Sequence, residues 1–358
     1  MSAPVEPTPS AGPLVRRPHG AEVSPGVSAL RRALGAWWAS AVARALLALV
    51  FMILIGCVFN AGGAFFRWSV HRDMLRQVST FGILAAGMTV VIITAGIDLS
   101  VSSVLALAAV SFAWLTLPHG WPALLAIPVV LAGGAALGAV SGALVARMRI
   151  QPFIVTLAMM VFARGLAKVV SGGEKITNYV PGPGGAEHVV PLPRIFGMID
   201  HRILGGELSI VTLVFGACVL VTWVVLSRLR LGRYLYAVGG NQEAARLSAV
   251  PIGWTLVAAY AFSGLLAAVA GICQAAQETQ GDPETGMGYE LDAIAMVVIG
   301  GTTLAGGKGS VVLTLIGVLT IGYLQKILSL NAAPEATRLM LTGGIIICAV
   351  LFQRGKRQ

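Results

Sequence analysis

Long apolar runs, seldom interrupted by charge, dominate this chain and restrict what it can fold into. Only 11% of the 358 residues are charged and 56% are hydrophobic, whereas a soluble domain carries about 25% charged residues. A soluble enzyme is therefore disfavoured. A helix needs about 20 apolar residues to cross a bilayer, so we expect an all-α integral membrane protein of about ten transmembrane helices. The expected spans are Ala45–Ala64, Thr80–Ile97, Ser103–Leu117, Ala123–Ala146, Phe153–Ser171, Ser209–Ser227, Thr255–Ala275, Leu291–Leu304, Val311–Leu328 and Leu339–Phe352.

Three of these runs are too short or too rich in glycine to be regular spans. They are the second, third and eighth, at Thr80–Ile97, Ser103–Leu117 and Leu291–Leu304. Broken helices are tolerated in lipid only where their exposed backbone lines a cavity or is buried in protein. We therefore expect some short or broken helices that border a cavity or lie inside the protein.

Basic residues between the runs predict which side of the membrane each loop faces. The net charge is +10, from 25 Lys and Arg against 15 Asp and Glu. The basic residues do not form a patch interleaved with aromatics, so this charge does not indicate nucleic-acid binding. Cytoplasmic N- and C-termini place most basic residues inside and most acids outside, in agreement with the positive-inside rule. The cluster Arg67–Arg76 is the exception, because it falls outside.

The two ends of the chain differ from its middle. Residues 1–44 are rich in proline and arginine, which predicts a disordered, basic cytoplasmic tail. Residues 45–353 are expected to form the transmembrane domain. Residues 354–358 are expected to be a short, basic cytoplasmic tail.

The motifs that catalysis, metal binding or nucleotide binding need are missing. The five His and four Cys show no metal-ligand spacing, and the cysteines lie inside apolar runs. The stretch Gly301–Ser310 contains Gly-Lys, but a Walker loop needs glycine where Thr302 stands and Ser or Thr where Gly309 stands. We expect a tight reversal there. We also expect no catalytic residue, no metal site and no cofactor on this chain, which is therefore not an enzyme.

The fourth run carries Gly134, Gly138 and Gly142 at four-residue spacing. This spacing puts three positions without side chains on one helical face, where another helix can approach closely. The pattern indicates helix packing rather than a ligand site.

Asp98 is the only acid between Asp73 and Glu174, and Ser100 and Ser103 follow it at the end of an apolar run. An ionisable group at membrane depth costs at least about 2.5 kcal/mol, so it usually faces a cavity or a partner. Asp and Ser also cap helices by accepting hydrogen bonds from the first free N–H groups. The two interpretations are compatible, because a helix that starts inside the membrane is itself a cavity feature.

Two acids, Glu290 and Asp292, stand at the start of the eighth run. Acidic side chains at the start of a helix stabilise it by interacting with the helix dipole. They could equally meet a polar solute or a basic partner surface.

Arg228–Ser248 is the longest segment expected on the cytoplasmic side. Asn241 is a good N-cap, and Gln242–Ser248 is a good short helix that ends near Pro251. Such a helix could cover the membrane ends of the spans, or it could dock a partner protein that moves it.

Four separated segments, in order, resemble the membrane subunit of ribose-type sugar ABC importers. The family pattern Gly-Ile-Asp-Leu-Ser-Val-Gly-Ser stands here as Gly96–Ser103, with Ser102 in place of the second glycine. The resemblance extends from about Leu46 to Phe352. The other matching segments are Gln151–Leu157 with Ala163–Ala167, Gly240–Ser248, and Gly288–Ala295 with Val298–Thr302 and Leu304–Ser310.

The resemblance implies that several chains divide the work. Two permease subunits, identical or different, would form a path for a monosaccharide or similar small polar solute through the lipid bilayer of the bacterial inner membrane. A separate cytoplasmic ATPase would bind ATP and Mg²⁺, and a periplasmic or extracellular solute-binding protein would deliver the solute. The expected ATPase-coupling residues are Arg233, Gly240, Asn241, Glu243, Ala244, Ala245 and Arg246. The candidates for the translocation path are Asp98, Ser100, Ser103, Glu290 and Asp292.

An ion-coupled secondary transporter is the alternative. It would use the intramembrane Asp98 and need no ATPase. The sequence predicts no second buried acid beside Asp98, which favours the importer. The solute stays open among pentoses, hexoses, polyols and nucleoside-like ligands, because selectivity in such importers resides largely in the binding protein.

Overall fold

The computed structural model describes residues 40–181 and 187–354, and within these ranges the chain is mostly helical. The expected tails at 1–44 and 354–358 fall largely outside the described residues, although the first helix already begins at Ala41. The described helices are α1 (Ala41–Val58), α2 (Trp68–Ile93), α3 (Val101–Thr116), α4 (Ala123–Met148), α5 (Pro152–Ser171), α6 (Arg194–Ile199), α7 (Ile210–Ser227), α8 (Arg230–Gly240), α9 (Gln242–Leu247), α10 (Ile252–Glu278), α11 (Tyr289–Ile299), α12 (Val311–Leu330) and α13 (Glu335–Arg354). Two antiparallel ribbons pair β1 (Tyr179–Pro181) with β2 (Glu187–Val189) and β3 (Arg202–Ile203) with β4 (Leu208–Ser209).

Seven of the described helices are long and apolar enough to cross a membrane: α1, α2, α4, α5, α7, α10 and α12. The helix α3 is apolar but has 16 residues, and α11 has 11 residues. These lengths confirm an all-α membrane protein that contains short helices. The total of ten spans and the cytoplasmic placement of both termini stay predictions.

The second span begins much earlier than the sequence predicts. The sequence predicts a start at Thr80, but α2 begins at Trp68 and includes three charged residues in its first turns. Each of these charges faces an opposite charge in the segment 194–209, so the helix can start before the apolar run does. The same pairing neutralises part of the basic cluster that breaks the positive-inside pattern. The ion pairs are Arg72–Glu207, Arg76–Asp200 and Arg202–Asp73.

The first span is also displaced, because α1 ends at Val58 rather than at Ala64. The chain turns at Asn60, whose side-chain oxygen accepts a hydrogen bond from the N–H of Gly63 at 2.8 Å. A turn of this kind competes with helix continuation even inside an apolar run.

The long helix α10 is the centre of the bundle and packs against α2, α3 and α4. The helix α4 carries Gly134, Gly138 and Gly142 on the face that meets α10. A Cβ on Gly138 would lie 2.1 Å from the carbonyl oxygen of Tyr260, and one on Gly264 would lie 2.2 Å from the carbonyl oxygen of Gly134. The two backbones are therefore in direct contact, and neither position has space for a side chain.

Candidate functional site

Asp98 lies in the connector between α2 and α3 and is buried, with 1% of its surface exposed. Its Oδ1 accepts hydrogen bonds from the backbone N–H of Ser100 at 3.0 Å and from the Ser100 hydroxyl at 2.6 Å. Its Oδ2 accepts from the hydroxyl of Ser263 at 2.8 Å. Ser100 directly precedes α3, and Ser263 belongs to α10. The carboxylate thus fixes the start of α3 and ties it to the central helix.

The rest of this connector is held by α5 and α10. The hydroxyl of Thr156 donates to the carbonyl oxygen of Ile97 at 3.1 Å. A Cβ on Gly96 would lie 2.4 Å from the hydroxyl oxygen of Tyr260. The break between α2 and α3 is therefore contacted from α5 and from α10.

The chain between α10 and α11, Thr279–Gly288, turns back along α5, and we call this segment the strap. Two lysines pair with it. Lys175 contacts Asp282 at 3.0 Å, and Lys168, within α5, contacts Glu284. The hydrogen bond to Asp282 raises the pKa of Lys175 above its ordinary value. Lys168 and Glu284 are each about half exposed (50% and 49%), so their pair contributes at most about 1 kcal/mol.

Arg164, one turn deeper along α5, makes the strongest contact with the strap. One of its guanidinium nitrogens donates to the carbonyl oxygens of Pro283 at 2.6 Å and Thr285 at 2.9 Å. Hydrogen bonds from a charged donor contribute about 1.5–3 kcal/mol each, more than an exposed ion pair. Arg164 lies inside the expected span Phe153–Ser171, and the sequence gives no sign of this contact, because every residue has a backbone carbonyl acceptor.

The strap leads into α11, which begins in the middle of the bundle. Tyr289, its first residue, packs on Phe81 with ring centroids 4.2 Å apart, and Phe81 lies midway along α2. A Cβ on Gly286 would lie 3.3 Å from the carbonyl oxygen of Ser102, so the starts of α3 and α11 are neighbours. An 11-residue helix is about 16 Å long, half of what a span needs.

The five candidate path residues fall into two groups. Asp98 and Ser100 are bonded to each other, as described above. The Oγ of Ser103 and the Oε2 of Glu290 are buried without a hydrogen-bond partner among the described residues, and Asp292 follows two positions along α11. Buried polar atoms normally have a partner in protein or water. The starts of α3 and α11 therefore offer free hydrogen-bonding capacity inside the protein.

A second candidate region lies at the opposite end of α2 from its charged first turns. There the short helix α9 stands exposed, with Ala245 as its one buried residue. The predicted cap is confirmed: the side-chain oxygen of Asn241 accepts from the N–H of Ala244 at 3.0 Å. Glu243 and Arg246 form an ion pair at 3.1 Å, with side chains 68% and 53% exposed.

The helix before it, α8, is not among the elements predicted from the sequence for the segment Arg228–Ser248. Leu231, Leu235 and Val238 recur at helical spacing, and Leu235 and Val238 are buried. This periodicity was the available signal. Arg233 is exposed on the same helix, which ends at Gly240.

Gly239, near the end of α8, touches two other segments. A Cβ there would lie 1.7 Å from the carbonyl oxygen of Ile93, the last residue of α2. The same oxygen accepts a hydrogen bond from the N–H of Gly307 at 2.9 Å. The end of α8, which leads into the exposed helix α9, thus rests directly on the end of α2 and on the loop between α11 and α12.

That loop is the tight reversal expected at Gly301–Ser310. The N–H of Thr303 donates to the carbonyl oxygen of Lys308 at 3.1 Å, and its hydroxyl donates to the carbonyl oxygen of Gly306 at 3.0 Å. Across the described ranges, no group of three or more His, Cys, Asp or Glu side chains is arranged to hold a metal ion.

Comparison with known proteins identifies relatives over most of the chain. Residues 71–350 match the family described as the permease component of the branched-chain amino acid transport system. The chain is 40% identical to the ribose import permease protein RbsC of Escherichia coli K12 over 312 residues, which cover 86% of this chain and 93% of the relative. It is 38% identical to the Bacillus subtilis ribose import permease over 87% of this chain and 92% of the relative. It is 34% identical to the fructose import permease protein FrcC of Rhizobium meliloti over 87% and 85%. No solved structure matches.

Proposed function

The chain belongs to the family of bacterial sugar ABC importer permeases, and from this premise we propose that it carries a monosaccharide or similar small polar solute across the inner membrane. It is a multi-pass protein of that membrane. In this proposal ATP and Mg²⁺ are bound by a separate ATPase, and a solute-binding protein outside delivers the solute. A second permease subunit, identical or different, completes the path, and this chain binds no cofactor.

The observation that carries the proposal is the way in which the exposed helix α9 is attached to the end of α2. A six-residue helix is too short to be stable alone, yet α9 stands exposed except at Ala245. It is connected through Gly239 to the end of α2, whose connector holds Asp98. We infer that the ATPase docks on Arg233 and the segment Gly240–Arg246, and that its motion reaches the interior through this contact.

The path itself is proposed to run between the starts of α3 and α11. Ser103 and Glu290 contribute buried polar atoms without a partner among the described residues. Hydroxyl and carboxylate groups are suitable partners for the hydroxyls of a sugar. Asp98 and Ser100 border this region and hold its geometry, and Asp292 lies further along α11.

The ion-coupled alternative depends on Asp98 exchanging an ion. Both of its oxygens are engaged by serine groups, which supports a positioning role for this carboxylate. Ion-coupled transport is therefore the result that would contradict the proposal in the uptake tests.

Co-purification tests the proposal. The tagged full-length chain is co-expressed with the ABC ATPase and second permease that accompany it, and solubilised in mild detergent. The ATPase is expected to be retained in a complex with the permease. Recovery of a folded permease without any ATPase, from cells that contain both, would contradict it.

A further inference from the structure

The proposed path is shielded on the side where the strap lies. Ser103 has 1% of its surface exposed, although it belongs to the first turn of a short helix that begins within the bundle. Gly286 of the strap lies against the Ser102 carbonyl oxygen and against Leu105. The strap therefore covers the start of α3 before it continues into α11.

The strap runs from beyond the end of α5 down to the level of Arg164. Asp282 is opposite Lys175, Glu284 is opposite Lys168, and the Thr285 carbonyl oxygen is opposite Arg164. Asp282 therefore meets a lysine beyond the end of α5, whereas residues 283 to 285 meet Lys168 and Arg164 within that helix. Because Arg164 is seven residues from the end of α5 at Ser171, the strap reaches about 10 Å below that end.

We propose that Arg164 is the positioning residue that keeps the strap seated over the starts of α3 and α11, and so closes the path towards the outer side. This inference rests on the proposed function, because it assigns Ser103 and Glu290 to the path. Releasing the strap from Arg164 opens the path to the outer side.

Arg164 suits this role better than the two lysines that also contact the strap. Its guanidinium binds two backbone carbonyl oxygens, which cannot leave without displacing the strap itself. Asp282, Glu284 and Glu290 also interact electrostatically with it, so the guanidinium lies within the field of the strap and of the first turn of α11. A planar guanidinium holds such acceptors in a fixed geometry that a lysine ammonium does not reproduce.

Thiol labelling tests the proposal without requiring transport. The full-length chain is made without its four cysteines and given Ser103→Cys as the reporter. Intact cells are treated with a membrane-impermeant maleimide. Arg164→Gln is expected to speed labelling by at least about tenfold, the shift that losing one charge-assisted hydrogen bond produces. The matched control Lys168→Gln removes an exposed charge from the same helix and should change the rate by less than about twofold.

Equal labelling rates in Arg164→Gln and its parent, at equal membrane levels, would overturn the proposal. If Arg164→Gln does not accumulate, Arg164→Lys replaces it, with the same expected increase and the same contradicting result. Gly286→Ala disturbs the strap independently, because its Cβ would lie 3.2 Å from Leu105 Cδ2 and its φ is +75°, and it should also raise labelling. The assay needs neither ATPase nor solute, so its failure is distinct from failure of the proposed function, which uptake measures.

Discussion

The carbonyl oxygen of Ile93 occupies the space that a side chain on Gly239 would need, since a Cβ there would lie 1.7 Å from that oxygen. This contact joins the end of α2 to the end of α8, next to the exposed helix α9. Gly307 donates its N–H to the same oxygen at 2.9 Å. A displacement of α8 and α9 therefore acts directly on the end of α2 and on the α11–α12 loop.

Gly239→Ala should impair transport by forcing these backbones apart. Overpacking of this kind costs about 1–3 kcal/mol, so we expect ATP-driven uptake to fall by roughly tenfold or more. Uptake by membrane-inserted protein, normalised to its amount, is the measurement. Gly253→Ala is the control, because a Cβ there meets nothing within 4 Å. Full uptake by Gly239→Ala would show that the close contact is dispensable.

Asp98→Ala should lower uptake by loosening the junction between α2 and α3. The substitution leaves the hydroxyls of Ser100 and Ser263 without their acceptor, at a cost of about 1–3 kcal/mol for buried groups left unpaired. Asp98→Asn keeps one acceptor oxygen and should retain more transport than alanine. Ser263→Ala removes one donor and is expected to have a smaller effect. If only Asp98→Glu supports transport, the carboxylate has a charge role, and the ion-coupled alternative gains support.

Much of the fold could be predicted from the apolar runs, and the α9 cap could be predicted from Asn241 alone. Both signals are local. The early start of α2 could not be predicted, because Arg76 is paired with Asp200, a residue far away in the sequence. The position of the strap inside the bundle could not be predicted from the sequence either. It depends on Arg164 binding the carbonyl oxygens of Pro283 and Thr285, and every residue has a carbonyl group.

Exchanging the charges of α9 should separate folding from coupling. Glu243→Arg combined with Arg246→Glu re-forms the exposed ion pair in the opposite order, and such pairs contribute only about 0–1 kcal/mol. The permease should therefore stay folded and inserted, while ATPase docking weakens and ATP-driven uptake is lost. Uptake and ATPase co-purification are measured together. Normal values for both would leave α9 as a passive cover for the membrane ends.

The predicted orientation can be checked with single cysteines in the cysteine-free chain. Gln242→Cys in α9 should react with an impermeant reagent only from the cytoplasmic side. Glu174→Cys, an exposed position just after α5, should react only from the outside. Labelling of both positions from the same side would refute the proposed arrangement of spans.

The most direct test of the account is solute uptake into proteoliposomes. The vesicles contain this permease with its partner permease and ATPase, and the solute-binding protein loaded with labelled sugar is supplied outside. We predict accumulation that requires ATP and the ATPase, and that is unchanged when ionophores abolish every ion gradient. Accumulation driven by an ion gradient without ATP would contradict the importer and identify an ion-coupled transporter.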